Sequence, residues 1–233
     1  SFGYSPEHQL MHDVNITVKS GQKVAIVGPT GAGKTTLINL LMRFYDVDGG
    51  SILVDGVDTK EMTRHELRDR FGMVLQDAWL FEGSIRDNIA YAQDNLPEEK
   101  IIAAARSASV DSFIKTLPDG YDFELSTGAE NISQGQRQLL TIARAMASDP
   151  EIMILDEATS NVDTHTEQLI QKALAKLMHG RTSFVIAHRL STIRDADMIL
   201  YMEHGDILEH GSHEELMAQH GKYEALYMSQ FAQ

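Results

Sequence analysis

The segment Gly28-Pro29-Thr30-Gly31-Ala32-Gly33-Lys34-Thr35-Thr36 constrains this chain more than any other. It has the spacing G-x-x-x-x-G-K-[ST]. The apolar run Val24–Val27 leads in, and Leu37, Leu40 and Leu41 recur at helical spacing behind it. A strand apolar at every position is buried on both faces, as in a parallel sheet covered by helices. The glycines let the backbone curl so that its N–H groups converge on phosphate oxygens, and the helix N-terminus adds partial positive charge. On this reading Gly28–Gly33 wraps the phosphates of ATP and Lys34 reaches the β- and γ-phosphates. Thr35 Oγ1 ligates Mg²⁺, and Thr36 adds a contact at the α-phosphate.

A phosphate loop needs an acidic partner on a neighbouring strand. Ile152-Met153-Ile154-Leu155 carries Asp156 and Glu157 to a strand end, where ligands gather in open α/β sheets. Successive strand side chains point opposite ways, so adjacent carboxylates can hold different jobs. Asp156 is the candidate Mg²⁺ ligand and Glu157 the base that polarises the attacking water. Two more polar residues close apolar strands: Gln76 after Phe71–Leu75 and His188 after Thr182–Ala187. Alone, each reads as a strand-end polar residue. Beside the phosphate loop and the carboxylates they become candidate γ-phosphate sensors, Gln76 also a candidate Mg²⁺ ligand. His213-Glu214-Glu215 is not H-E-x-x-H, and the remaining histidines lack metal-ligand spacing.

The rest of the chain frames these motifs. Ile16–Lys19 and Ser51–Val54 read as further strands. From about Phe81 to Ser148 helical signals dominate: Ser84–Tyr91, Glu98–Ser107, Val110–Leu117 and Gln134–Ala147. Strands and helices then alternate again, with Thr164–Met178 a helix and Asp197–Met202 and Asp206–His210 a hairpin across His204-Gly205. Helices at Glu214–Gln219 and Tyr223–Gln230 close the chain. The expected fold is α/β. It has a P-loop NTPase core with a largely parallel sheet, an N-terminal antiparallel β part and an inserted α-helical subdomain. Residues 1–80 and 149–233 form the core, and about 81–148 the insert.

Composition narrows the partners. With 42% hydrophobic residues in 233, a substantial core is available. The formal charge of −14 argues against nucleic acid as the main partner, because phosphate backbones need a positive field. There is no cysteine, so disulfide, thiolate-metal and cysteine-nucleophile chemistry are excluded. No apolar run approaches the roughly 20 residues of a membrane span. The start at Ser1 lacks a signal-peptide pattern and opens on strand-like sequence, as expected of a domain cut from a longer chain.

One stretch remains: Asn131-Ile132-Ser133-Gln134-Gly135-Gln136-Arg137-Gln138. Ser133 and Gln136 form S-x-x-Q, a capping box that opens a helix and leaves N–H groups free for an anion. Together with the motifs above, this stretch resembles the signature of ATP-binding cassette (ABC) transporter nucleotide-binding domains, usually L-S-G-G-Q. The resemblance covers nearly the whole chain. It implies that Ser133, Gln134, Gly135 and Gln136 contact ATP held by a second cassette, the two facing head to tail around two ATPs. Gln134 departs from the family's Gly and puts a bulky side chain close to where the partner's nucleotide would sit. A Gln there looks like one half of certain bacterial heterodimeric multidrug exporters.

The same resemblance maps Tyr4 onto the aromatic that stacks on adenine, with a core aromatic of the first strand as the alternative. It maps Ser160-Asn161-Val162-Asp163 onto the D-loop, although Asp163 also suits a plain helix N-cap. It maps Gln76-Asp77-Ala78-Trp79-Leu80-Phe81 and Ser84–Ile89 onto the exporter stretch that meets the transmembrane coupling helices, unless Trp79 and Phe81 are core. The implied role is the motor of an exporter of drugs or lipids, at the cytoplasmic face of the cell membrane. Nucleic-acid- or ribosome-associated ABC ATPases are the alternative, but they carry long coiled-coil or basic insertions absent here. Importer cassettes, a further alternative, usually place Pro where Ala158 follows the catalytic Glu.

Overall fold

A computed structural model describes residues 1–5, 7–75, 77–91, 93, 95–157 and 162–231. In chain order the elements are β1 (Lys23–Val27), α1 (Lys34–Leu41), β2 (Leu53–Val54), β3 (Val57–Asp58), α2 (Arg64–Asp69), β4 (Phe71–Val74), β5 (Gly83–Ser84), α3 (Ile85–Ile89), α4 (Glu98–Ser107), α5 (Asp111–Ile114) and β6 (Glu124–Leu125). There follow α6 (Gln134–Ser148), β7 (Ile152–Asp156), α7 (Thr164–Met178), β8 (Thr182–Ile186), α8 (Leu190–Arg194), β9 (Met198–Glu203), β10 (Asp206–Gly211), α9 (His213–Ala218) and α10 (Lys222–Phe231). The main sheet runs in the order β10-β9-β1-β8-β7-β4. The chain divides into two compact units. One is Ser1–Phe71 with Ile154–Glu157 and Thr182–Gln233; the other is Gly72–Met153 with Ala158–Arg181.

In the first unit β1 is the centre. It pairs in parallel with β8 on one side and β9 on the other, Ile26 standing opposite both Ile186 and Leu200. Val24, Ala25, Ile26 and Val27 are all buried. Each fully buried Val, Ile or Leu contributes roughly 1.5–3 kcal/mol, so this strand anchors whatever follows it. β9 and β10 form an antiparallel hairpin across His204-Gly205, both with positive φ (52° and 89°), the turn chemistry that suits twisted strands. Asp55-Gly56 makes the same kind of turn (52° and 82°) between β2 and β3. Antiparallel bridges Phe2↔Met11 and Ser5↔His8 complete the N-terminal β part.

Ile16–Lys19, expected as a strand, joins no sheet. Its alternation records one-sided burial: Ile16 and Val18 are half-buried while Thr17 and Lys19 are exposed. Period-two burial alone does not supply a neighbouring edge to bond with. Ser51–Val54 shortens to β2 for the same reason, since only Leu53 and Val54 face partners in β3.

In the second unit α6 is the axis, packed by α3, α4 and α7. Leu139, Leu140, Ile142, Ala143 and Ala145 supply its buried side. α5 opens on Asp111, a nearly buried carboxylate that accepts from Lys115 Nζ (2.7 Å) and the Tyr121 hydroxyl (2.7 Å), with Arg106 Nε at 3.4 Å. Burial pushes the Asp111 carboxyl upward, but these donors outweigh it and hold it below the usual carboxylate range. A folded-state value below the unfolded one contributes stability that is present above about pH 4 and is lost as pH falls through the folded value. We expect Asp111→Asn to destabilise the chain by about 2 kcal/mol at pH 7. In urea unfolding the gap to wild type should narrow below about pH 4. A gap constant with pH would show that the ionised form contributes nothing.

Candidate active site

The phosphate loop leaves β1 and enters α1. Gly28 has φ 145°, and a Cβ there would lie 2.1 Å from the Met202 carbonyl oxygen of β9. No side chain fits, so the loop can begin so close to the neighbouring strand only on glycine. Ala32 is buried and accepts from the Gly205 N–H (2.9 Å), which ties the loop to the β9–β10 turn. Pro29, Thr30 and Gly31 are exposed at the tip.

Lys34 Nζ donates back to the carbonyls of Gly28 (2.7 Å) and Pro29 (3.0 Å). The ammonium is thus held over the mouth of the loop it would serve. Burial lowers the Lys34 pKa, and the negative charge of Asp156 pulls it back up. Thr35 is exposed at the first turn of α1, whereas Thr36 is buried and its Oγ1 lies 3.0 Å from the Tyr4 hydroxyl. Tyr4 is 55% exposed and packs edge-on against Phe2 and Tyr45 at 5.0 and 5.1 Å. It is therefore no core aromatic: its ring rims the loop with its hydroxyl anchored at α1.

Asp156 and Glu157 occupy different environments, as adjacent positions at a strand end should. Asp156 Oδ1 is buried without a hydrogen-bond partner, and His188 Nε2 stands 3.8 Å from it. Glu157 is 4% exposed, and its N–H donates to the Ile186 carbonyl of β8 (3.2 Å). Its Oε1 accepts from the Thr192 hydroxyl on α8, while Oε2 is buried without a partner. Burial raises the Glu157 pKa; the Thr192 hydroxyl, the Arg189 charge and the His188 backbone N–H work against that rise. His188 follows β8 directly, and its ring is about half exposed.

Buried polar atoms without partners are costly unless something arrives to satisfy them. The free Asp156 oxygen beside Lys34 fits a divalent cation held mostly by water and phosphate oxygens. Mg²⁺ characteristically takes only one or two protein ligands. No group of three or more His, Cys, Asp or Glu able to hold a metal occurs among the described residues. Gln76 and the Ser160-Asn161 part of the expected D-loop lie outside the described residues. Asp163 does cap α7, its Oδ1 accepting from Thr166 N–H (3.0 Å).

The signature segment lies in the second unit. Ser133 caps α6: its Oγ accepts from Gln136 N–H (3.3 Å), and Gln136 Oε1 accepts from Ser133 N–H (2.8 Å). Gly135 is buried, and a Cβ there would meet Thr166 Cγ2 of α7 at 2.3 Å. This glycine is thus required by helix packing. Gln134, one residue earlier, is half-buried. Ten residues along the same helix, Arg144 donates to the carbonyls of Asn88 (2.8 Å) and Trp79 (3.0 Å) and stacks 4.9 Å from the Tyr91 ring. Trp79 is 59% exposed, so it presents a surface and is not core.

The family model for ABC transporters matches residues 11–160. The chain belongs to that family. It is 54% identical over 231 residues to an uncharacterized ABC transporter ATP-binding protein of Bacillus subtilis, covering 99% of this chain and 38% of that protein. It is 54% identical over 223 residues to a fatty acid ABC transporter ATP-binding/permease protein of Mycobacterium bovis, covering 96% and 35% respectively. It superposes on the structure of a bacterial Atm1-family ABC exporter with ATP bound, with TM-score 0.90 and 42% identity. That match covers 100% of this chain and 41% of the other. The chain thus spans well under half the length of these relatives. Its fold is the mixed α/β fold of ABC ATPases, and it is an ATP-binding ATPase domain of the ABC kind.

Sequence reasoning missed Thr192 and Arg144. Thr192 carries a weak signal, a hydroxyl four residues beyond His188. Arg144 gives none, because only packing shows that its guanidinium turns inward. We expect Lys34→Ala to weaken Mg·ATP binding by at least tenfold in calorimetry, since a buried charge-assisted contact is worth roughly 1.5–3 kcal/mol. Unchanged affinity would exclude Lys34 from phosphate binding.

Proposed function

We propose that this chain is the motor domain of an ABC exporter. It binds and hydrolyses Mg·ATP, and ATP-dependent pairing with a second cassette drives a drug or lipid across the membrane. The observation that carries the hydrolytic reading is the pair of partnerless buried oxygens, Asp156 Oδ1 and Glu157 Oε2, on adjacent residues beside the phosphate loop. One is suited to a cation and the other to a proton.

The roles follow from the atoms. Loop amides from Gly28 to Gly33 and the Lys34 ammonium hold the phosphates, Lys34 exchanging its two loop carbonyls for phosphate oxygens. Tyr4 offers its exposed ring to the adenine. Thr35 and Asp156, with Gln76, would hold Mg²⁺, which would supply neutralisation of phosphate charge. Glu157 Oε2 accepts the proton of the water that attacks the γ-phosphorus, and His188 donates to the γ-phosphate as charge builds there.

The second site of contact is in trans. Ser133, Gln134, Gly135 and Gln136 open α6 toward the ATP of a partner cassette. Because Gln136 and Ser133 already satisfy one another's N–H groups, the segment arrives rigid, with little ordering left to do on binding. Gln134 brings a long side chain where a Gly would leave room, and this favours a heterodimer whose partner site turns over slowly. Trp79, held by Arg144, and half-buried Phe81 suit docking by the coupling helices of a transmembrane domain. Among the described residues no helix is long and apolar enough to cross a membrane, so on this reading the span belongs to that other domain. Work would then be done at the cytoplasmic face.

We expect Glu157→Gln to bind ATP normally, to lose roughly 10²–10⁴-fold in turnover, and to accumulate as an ATP-bound dimer on size-exclusion chromatography. Near-normal phosphate release would remove Glu157 as the base. For the altered signature, Gln134→Gly in the full transporter should raise turnover at the partner's ATP site, read with that site as the only hydrolysing one. No change there would mean that Gln134 does not limit it.

A further inference from the structure

Thr192 sits on α8, four residues past His188 in sequence, and is 6% exposed. Its hydroxyl donates to Glu157 Oε1, and both residues are buried. Oε2 of the same carboxylate is buried with no partner among the described atoms. We propose that Thr192 is the positioning residue of the hydrolytic base: its hydroxyl fixes the Glu157 carboxylate so that Oε2 alone is presented to the attacking water. This rests on the reading of Glu157 as that base.

The geometry explains why a clamp is needed. The terminal torsion of a glutamate is broad, so an unheld carboxylate rotates and presents either oxygen over a range of angles. Proton transfer needs one oxygen within hydrogen-bond reach of the water as the new O–P bond forms and the bond to the bridging oxygen breaks. The proton moves from the water to Oε2, and the bridging electron pair leaves with the ADP. Holding Oε1 from behind narrows the search before the water arrives.

Glu157 is held both at its backbone and at its carboxylate. Its backbone N–H is bound by the Ile186 carbonyl, which fixes where the side chain starts. The Thr192 hydroxyl then fixes how it ends. Thr192 is itself well seated: the next residue, Ile193, is 2% exposed and its N–H bonds to the Arg189 carbonyl (3.2 Å). A β-branched side chain has few rotamers, so the hydroxyl has little freedom to leave the carboxylate. Because α8 begins just beyond His188, one short segment carries both the γ-phosphate sensor and the clamp on the base.

The test uses the intact transporter that carries this domain, with steady-state ATPase kinetics. Thr192→Val keeps the shape and removes the hydroxyl; it should lower kcat roughly 10–100-fold while KM for ATP and ATP affinity stay at wild type. Thr192→Ser, which keeps the hydroxyl, should return kcat to within about twofold of wild type. In a Glu157→Gln background, Thr192→Val should have no further effect on residual turnover, because the two act as one unit. Wild-type kcat in Thr192→Val would overturn the proposal. So would a raised KM with unchanged kcat, or an undiminished effect in the Glu157→Gln background. If Thr192→Val does not fold, Thr192→Ala against Thr192→Ser makes the same comparison. Near-normal turnover in Glu157→Gln alone would instead remove the reading of Glu157 on which the clamp depends, a result distinct from silence at Thr192.

Discussion

The hydrogen-bonded seat of β1 between β8 and β9 is what the rest of the site depends on. A strand buried on both faces cannot shift without exposing Val24 through Val27 together. The phosphate loop therefore starts from a fixed point. β9 also supplies the Met202 carbonyl that forbids a side chain at Gly28, and the turn after it supplies the Gly205 N–H that holds Ala32. β8 supplies the Ile186 carbonyl that anchors Glu157 and delivers His188. The two neighbours of one strand thus hold the candidate phosphate loop on one side and the candidate hydrolytic groups on the other.

Electrostatically the site is built from groups left short of partners. Lys34 is partly desolvated and borrows loop carbonyls; Asp156 and Glu157 each keep one oxygen unsatisfied. Burial works against the charge of Lys34 and of Glu157, and a neighbour works for it: Asp156 for the lysine, Thr192 and Arg189 for the glutamate. Such an arrangement costs stability unless incoming groups satisfy it; on the proposed reading those groups are phosphate, cation and water. The Asp111 cluster is the contrast. There every carboxylate oxygen has donors, and the result is structure, not chemistry.

The candidate phosphate site could be read from the sequence because its spacing is local. Gly28 to Thr36 and Asp156-Glu157 each lie within one turn or strand end, and backbone geometry there follows from residue type. The signature's capping box was legible for the same reason, and it forms as expected. Ile16–Lys19 misled because alternating burial resembles a strand whether or not a neighbour exists to bond it. The demand for glycine at Gly135 was invisible as packing, since Thr166 approaches it from another helix.

By itself, the sequence determined the chemistry on offer: a phosphate loop, two carboxylates, a histidine, and a helix opened by Ser133. It also determined the family, because those motifs stand in a single order along one chain. Only the tertiary structure decided which atoms are free and which are spent. Tyr4 had to be seen exposed, Trp79 outward, Ser133 and Gln136 bound to each other, and Glu157 held on one oxygen by Thr192. The physical reason is that a hydrogen bond between distant residues depends on where two backbones bring them, and no local pattern of residue types encodes that distance.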